Sequence, residues 1–280
     1  MSHRYQGRLA VLSTKHRKLG LIAPPLARHV GLVVDAVAVD TDRFGTFTGD
    51  VARSRSAWDT AVAKARLGMQ VAGCPIGLAS EGTIGPHPDA GFLTCDTELV
   101  VMVDDELGIV VGERETGWDL LTVAADVSIL EDLDELLERG RFPSHAMTVR
   151  PADGSGRTAH KGIRTRGRLA HAVAQCAAQS SNRLARVETD MRAQCCPSRR
   201  PVIARCAARL ARRLASSCPE CDAPGWGVVG HEVGLPCGAC GATVPLPRAD
   251  VWGCARCPST RTAERQQKVS DPTWCDWCNP

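Results

Sequence analysis

At 280 residues, 44% hydrophobic and 23% charged, the chain has the composition of a globular protein with room for one large domain and an appendage. A formal net charge of +3 gives no overall preference for nucleic acid. No apolar run reaches the roughly 18–20 residues of a membrane helix, which excludes that class of membrane protein.

The apolar patch in the opening "MSHRYQGRLAVLSTKHRK" is too short for a signal-peptide core and is hemmed in by charge, so a soluble, cytoplasmic protein is expected. In a reducing compartment its fourteen cysteines would be thiols or metal ligands rather than disulfides.

In chain order, "RLAVLST" (8–14) reads as a strand, followed by a helix or turn over "HRKLGLIAPPLARHVG". The near-continuous apolar run "LVVDAVAVD" (32–40) predicts a strand buried on both faces, leading into the polar loop "TDRFGTFTGDVARSRS". A helix is predicted from Ser56, with Asp59 three residues on as the capping acid and Gly73 at its end. Its apolar stripe is Trp58, Val62, Ala65, Met69 and Ala72. "PIGLAS" (75–80) is a third strand that runs into the turn-like "EGTIGPHP".

Two β-branched runs around an Asp- and Gly-containing turn make "ELVVMVDDELGIVVGE" (98–113) a hairpin. A helix over 129–140, a strand over 145–151, a Gly/Ser-rich loop over 152–162 and helices over 168–179 and 200–217 complete the reading. The expected fold is an α/β domain over residues 1–215, a mixed sheet flanked by helices, followed by a small zinc-ribbon-like domain over 216–280.

The last segment carries the strongest motif. Cys218/Cys221, Cys237/Cys240, Cys254/Cys257 and Cys275/Cys278 are four CxxC pairs. Each pair turns two thiolates toward one ion, and two pairs complete a tetrahedral site, so two structural Zn²⁺ are expected rather than an iron–sulfur cluster. The spacing leaves the partnering open between consecutive pairs and a central 237/240–254/257 site nested inside the outer pairs. With all four positions supplied by protein, such sites stabilise a segment too small to fold on its core alone.

Seven arginines and no acid lie between Met191 and Ser217. Arg205, Arg209 and Arg212 form a basic stripe opposite the apolar face Val202, Ile203, Cys206, Leu210 and Leu214. The stripe is a candidate nucleic-acid contact, or else a solvated helix face. In "ETDMR", Glu188, Asp190 and Arg192 occupy alternate positions and would point one way if extended, either as a binding site or as an ion-pair network.

The carboxyl ends of parallel strands share one edge, where ligands bind in α/β sheets. Three predicted strand ends bring Lys15 and Lys18, Asp40 and Asp42, and Glu81 with Gly82 to that edge, with Lys64 on the intervening helix and His87 nearby. Carboxylates in that position can hold Mg²⁺ and lysines can balance a phosphorylated ligand.

The combination "STKH", "DTDRFGTFTGD", "LASEGTIGPHP", "ETDMRA" and "CDWCNP" resembles a family of bacterial proteins of unknown function with an α/β domain and a cysteine-rich tail. It departs from that family at Thr83–Ile84, where Ser–Phe is usual, and at "QCCPSRR", where Asn-Pro-Thr-Arg is usual. More distantly, the order of elements over about residues 8–150 is similar to the inosine/xanthosine-type nucleoside-triphosphate pyrophosphatases. The Asn-Pro usual before their first lysine is absent, and Thr83 replaces a second glycine.

That second resemblance implies Glu81 and Asp42 as Mg²⁺-holding carboxylates and Lys15 and Lys64 as charge-neutralising groups. Lys18, Gly82, His87, Glu188, Asp190 and Arg192 are the candidates for substrate contacts. The expected function is a phosphohydrolase for a nucleotide-like substrate, the alternative a nucleic-acid- or protein-binding module built on the arginine helix and the zinc segment.

Overall fold

The computed structural model describes residues 3–15, 17–40, 55–87, 90–129, 133–155 and 160–279, without the side chains of His87 and Ala90. Asp42 lies outside the described residues.

Its first layer is a five-stranded sheet in the order β2-β1-β3-β4-β5. These strands are β1 (Leu9–Ser13), β2 (Val33–Val37), β3 (Ile76–His87), β4 (Ala90–Asp104) and β5 (Ile109–Gly117). β1 pairs in parallel with both β2 and β3, whereas β3, β4 and β5 form an antiparallel meander. Helix α1 (Leu19–Val30) connects β1 to β2, and α2 (Ala57–Ala72) carries the chain back across β1 to β3. The connections after β1 and β3 therefore leave in opposite directions, a topological switch of the kind at which α/β sheets bind ligands.

Alternation along the strands sorts the core into two layers. Leu12, Leu78, Val100 and Met102 face α1 and the later helix α5 (Arg200–Leu214), where Ile22, Leu26, Ile203 and Leu210 meet them. Val11, Ala79, Leu99 and Val101 face Ala61, Ala65 and Met69 of α2. The predicted α2 is present with its caps: the Ser56 hydroxyl accepts from the Asp59 backbone N–H, and Gly73 is left-handed at φ +62°. Its buried face holds Thr60, Lys64 and Gly68 along with Ala65 and Met69, and Ala72 is exposed.

Other expectations change. β2 is an edge strand, with Val33 exposed, rather than one buried on both faces. β3 does not end at Ser80: it runs on to His87, paired with β4 throughout, so Glu81 sits mid-strand opposite Leu99. The helix expected over 129–140 is the shorter α3 (Asp134–Arg139), with Ile129 in a bend before it.

The rest of the first 215 residues builds a second, antiparallel sheet in the order β6-β9-β7-β8. Its strands are β6 (Ala124–Val127), β7 (Met147–Pro151), β8 (His160–Ile163) and β9 (Ala185–Thr189). Helix α4 (Arg166–Gln179) lies on this sheet, with Leu169, Val173 and Cys176 packed on Met147, Val149 and Val187. β8 takes up the end of the stretch expected as a loop over 152–162.

The cysteine segment adds a three-stranded meander of β10 (Gly227–Pro236), β11 (Thr243–Gly253) and β12 (Thr260–Glu264). Arg213 of α5 ties this segment to the first sheet, donating to the Gly225 carbonyl at 3.0 Å and to the Gly112 carbonyl at 3.1 Å. Among the described residues no helix is long and apolar enough to cross a membrane.

Candidate metal centres and a buried charge cluster

The CxxC pairs combine in neither of the two ways left open by spacing. Cys218 and Cys221 meet Cys254 and Cys257, and Cys237 and Cys240 meet Cys275 and Cys278. The sites interleave: first pair with third, second with fourth. The meander causes this, because antiparallel β10 and β11 return the chain past its start and leave alternate pairs at the same end.

Within each tetrad the ligand atoms lie within 4.8 Å of one another. Across the pairs, Cys218–Cys257 sulfurs are 3.7 Å apart, Cys221–Cys254 3.6 Å, Cys237–Cys278 3.9 Å and Cys240–Cys275 3.6 Å. A tetrahedron with Zn–S bonds of about 2.3 Å has edges of about 3.8 Å. These separations are far beyond a disulfide bond and match such an edge, so both tetrads can hold a metal ion.

The knuckle backbone favours thiolate at one cysteine of each tetrad, while Cys257 and Cys278 beside them are raised to about 12. Backbone N–H groups of Cys240 and Ala239 hold the Cys237 thiol down to about 7. Burial pushes Cys254 up, but N–H groups of Cys257 and Arg256 outweigh it and bring that thiol to about 7 as well. Thiolate is the form a metal takes.

The second feature lies on the β3–β4 ladder. Consecutive strand residues leave opposite faces, and the charges divide accordingly. On the α2 face, the Glu81 carboxylate accepts from Lys64 Nζ in an ion pair shielded from water on both sides. Ser13, the last residue of β1, fixes that turn of α2 by donating its hydroxyl to the Lys64 carbonyl at 2.7 Å.

On the opposite face, Lys18 Nζ donates to the Ser80 hydroxyl at 2.9 Å and to Glu98 Oε2 at 3.2 Å. Glu98 Oε1 also accepts from Arg199 Nη2, while Arg199 Nε reaches Asp96 Oδ2 at 3.1 Å. Arg199 is fully buried and arrives from the short 3-10 turn Pro197–Arg199 ahead of α5. Its Nη1 donates to the Met191 carbonyl, which joins the second sheet's last loop to the first sheet. Burial raises the Asp96 carboxyl above its ordinary value against the pull of Arg199, and among the described residues its Oδ1 has no hydrogen-bond partner.

Lys64 with Glu81, and Lys18 with Ser80, thus meet at one stretch of β3, on two faces of it, with Gly82 next in the strand. Lys15 pairs with Asp40 at 2.5 Å at the neighbouring strand ends. His87 closes β3. Asp190 and Arg192 form a bidentate pair, with Nε–Oδ1 at 2.9 Å and Nη2–Oδ2 at 2.5 Å, and Asp190 also accepts from the Gly162 N–H. Glu188 turns elsewhere, toward Arg150 at 3.4 Å, so the three alternate residues of "ETDMR" do not form one cluster: the chain leaves the strand after Thr189.

On α5 the apolar face is buried as expected, but the basic stripe is matched. Arg205 pairs with Glu115 and Arg209 with Glu113 and Glu115, while Arg212 is exposed. Asp96, Glu98 and Arg199 are site residues that the sequence reading left out. Two acids alternating with Val100 and Met102 on a core-facing register were the available signal.

An α/β sandwich with a buried charge ladder and a double cysteine tetrad defines an α/β protein with two sites that could hold a metal ion. The chain belongs to the family described as a domain of unknown function, DUF6671, whose model matches residues 64–280. No curated protein matches the chain, so the likeness to nucleoside-triphosphate pyrophosphatases drawn from element order gains no support.

Proposed function

We propose that the chain is a two-zinc protein whose α/β part binds a phosphorylated, nucleotide-like ligand at the carboxyl edge of β1 and β3 and hydrolyses it with Mg²⁺. The observation that carries this reading is the buried Lys64–Glu81 pair. It lies two residues beyond Ala79, the last β3 residue paired with β1, beside the place where the strand connections diverge. Buried ion pairs contribute little net stability, so one placed at a ligand edge favours a functional role over a structural one.

In this reading Lys64 neutralises Glu81 until ligand arrives. Glu81 and Asp42 are the carboxylates that would hold Mg²⁺, which supplies Lewis-acid polarisation of a phosphoryl oxygen. Lys15 and Lys64 balance phosphate charge, whereas Lys18 lies on the opposite face of the sheet, held by Glu98, and the space beside Gly82 there is filled by Arg199. The cysteine tetrads are closed four-thiolate sites and serve folding. Fourteen cysteines without a disulfide suit a reducing, cytoplasmic setting.

The test is Mg²⁺-dependent release of phosphate or pyrophosphate across a nucleotide panel, by wild type and by Glu81→Gln. Turnover that vanishes in the variant, with metal content and fold retained, supports the reading. No turnover by wild type on any nucleotide, or equal turnover by both, defeats it. Nucleic-acid binding through Arg205, Arg209 and Arg212 has less support, because Glu113 and Glu115 offset the first two.

A further inference from the structure

A cluster of positive charge without carboxylate partners lies away from both features above, where the second sheet meets the start of α5. Arg164 Nη1 donates to the carbonyls of Pro143 at 2.6 Å and Ser144 at 2.7 Å, and its Nη2 donates to the Gln194 carbonyl at 3.1 Å. Arg200, the first residue of α5, donates from Nε to Ala193 O and from Nη2 to the same Gln194 O, both at 3.4 Å. Two guanidinium groups therefore converge on one carbonyl. Among the described residues neither has a carboxylate partner, in contrast to Arg205 and Arg209.

Like charges repel, and here the fold fixes two of them side by side on neutral acceptors with no carboxylate paired directly to either among the described residues. Arg164 Nε and Arg200 Nη1 also have no hydrogen-bond partner among the described residues, which leaves donors for a ligand. Arg141 adds a third cation on the adjoining turn: its carbonyl accepts from the His145 N–H at 3.1 Å and from the Ser144 hydroxyl at 2.6 Å. All three arginines are exposed. His145, enclosed beside them, reports the field: burial lowers its pKa, and Arg141, Arg164 and Arg200 each lower it further, with no acid opposing them. The amino end of α5 contributes partial positive charge at the same place.

We infer that Arg164 and Arg200, with Arg141 beside them, form an anion site that takes a phosphoryl group. Guanidinium groups match phosphate oxygens in charge and in planar donor geometry. The site is separate from the carboxyl edge of β1 and β3. It moves any phosphate recognition by this half of the chain from the α5 stripe to the turn before the helix.

Calorimetric titration of the full chain with inorganic pyrophosphate at low ionic strength tests it. Wild type should bind, and Arg164→Gln with Arg200→Gln should bind about tenfold more weakly or not at all, with the loss steepening as salt falls. Because Arg164 braces a backbone turn, Arg141→Gln and Arg200→Lys are measured alongside: the first should weaken binding severalfold and the second should retain most of it. The double variant Arg205→Gln, Arg209→Gln should bind like wild type.

Absence of pyrophosphate binding by wild type overturns the inference. So does binding that is lost in Lys64→Met but kept in the Arg164/Arg200 variant, which would assign the phosphate to the β1 and β3 edge. A (dT)₁₂ oligonucleotide run in parallel separates sources. If it binds with the same arginine dependence and pyrophosphate binds less well, the phosphoryl group is that of a phosphodiester backbone.

Discussion

Ser80 and Glu81 are neighbours in β3 and receive lysines from opposite sides of one sheet: the Ser80 hydroxyl accepts from Lys18 and the Glu81 carboxylate from Lys64. The two lysines reach the strand from different elements, the turn before α1 and the middle of α2. Charge therefore brackets the ladder at this one place, and each side can be altered without touching the other.

Breaking the α2 side by Lys64→Met leaves a carboxylate shielded from water without its cation. The expected cost is about 3–5 kcal/mol of unfolding free energy. The double variant Lys64→Met, Glu81→Leu should recover most of that, since an apolar pair of similar volume removes the uncompensated charge. Urea denaturation of the two variants against wild type measures both values.

On the other side the space above Gly82 is filled by Arg199. A Cβ at that position would press into Arg199 Nη2 and lie 2.7 Å from Glu98 Oε1. Arg199 is pinned by Asp96, Glu98 and the Met191 carbonyl and cannot swing away, so Gly82→Ala should cost about 1–3 kcal/mol. In an Arg199→Met background the added methyl group should cost less than half as much. A double-mutant cycle by denaturant midpoint decides it.

The tail offers a test of ligand partnering. If the tetrads interleave, Cys218→Ser with Cys254→Ser damages a single site, and the chain should retain about one zinc. Cys218→Ser with Cys237→Ser should damage both. Consecutive partnering predicts the reverse, and metal analysis of the two purified variants separates the cases.

Acid pH should act through Asp190 and Asp96 in opposite directions. Burial works against the charged Asp190, but the bidentate Arg192 outweighs it and holds the carboxyl below its ordinary value. Its stabilising contribution is complete above the unfolded carboxylate range and is lost as pH falls through the folded value. Asp96 is raised, chiefly by burial, so its protonated form favours the fold and stability declines as pH rises through its folded value. Asp190→Asn should flatten the acid limb of a stability–pH curve below about pH 4. Asp96→Asn should flatten the decline above it. Denaturant midpoints across that range show whether the two slopes move independently.

The elements with local signals were legible in the sequence. Ser56 and Asp59 mark the start of α2, Gly73 marks its end, and the Asp- and Gly-bearing turn of the 98–113 hairpin lies where composition places it. The eight ligand cysteines were legible too, because a CxxC turn is a short-range object. What escaped depends on partners far along the chain. "EGTIGP" reads as a turn through its glycines and proline, yet β4 pairs with it through Gly85 and Pro86, and that pairing carries Glu81 into the sheet interior. The partnering of the four CxxC pairs follows from how β10 and β11 fold back, which spacing does not encode. Arg199 meets Glu98 across 101 residues of sequence, and no local pattern announces that contact.

Interleaving also has a consequence for synthesis on the ribosome. Cys218, Cys221, Cys237 and Cys240 all emerge before Cys254, so the first two CxxC pairs the growing chain can offer an ion are a combination the finished protein does not use. A metal captured at that stage has to be handed from one knuckle to another as the third and fourth pairs appear. Correct loading is therefore a matter of exchange among competing thiolates, and the order of translation works against the final arrangement.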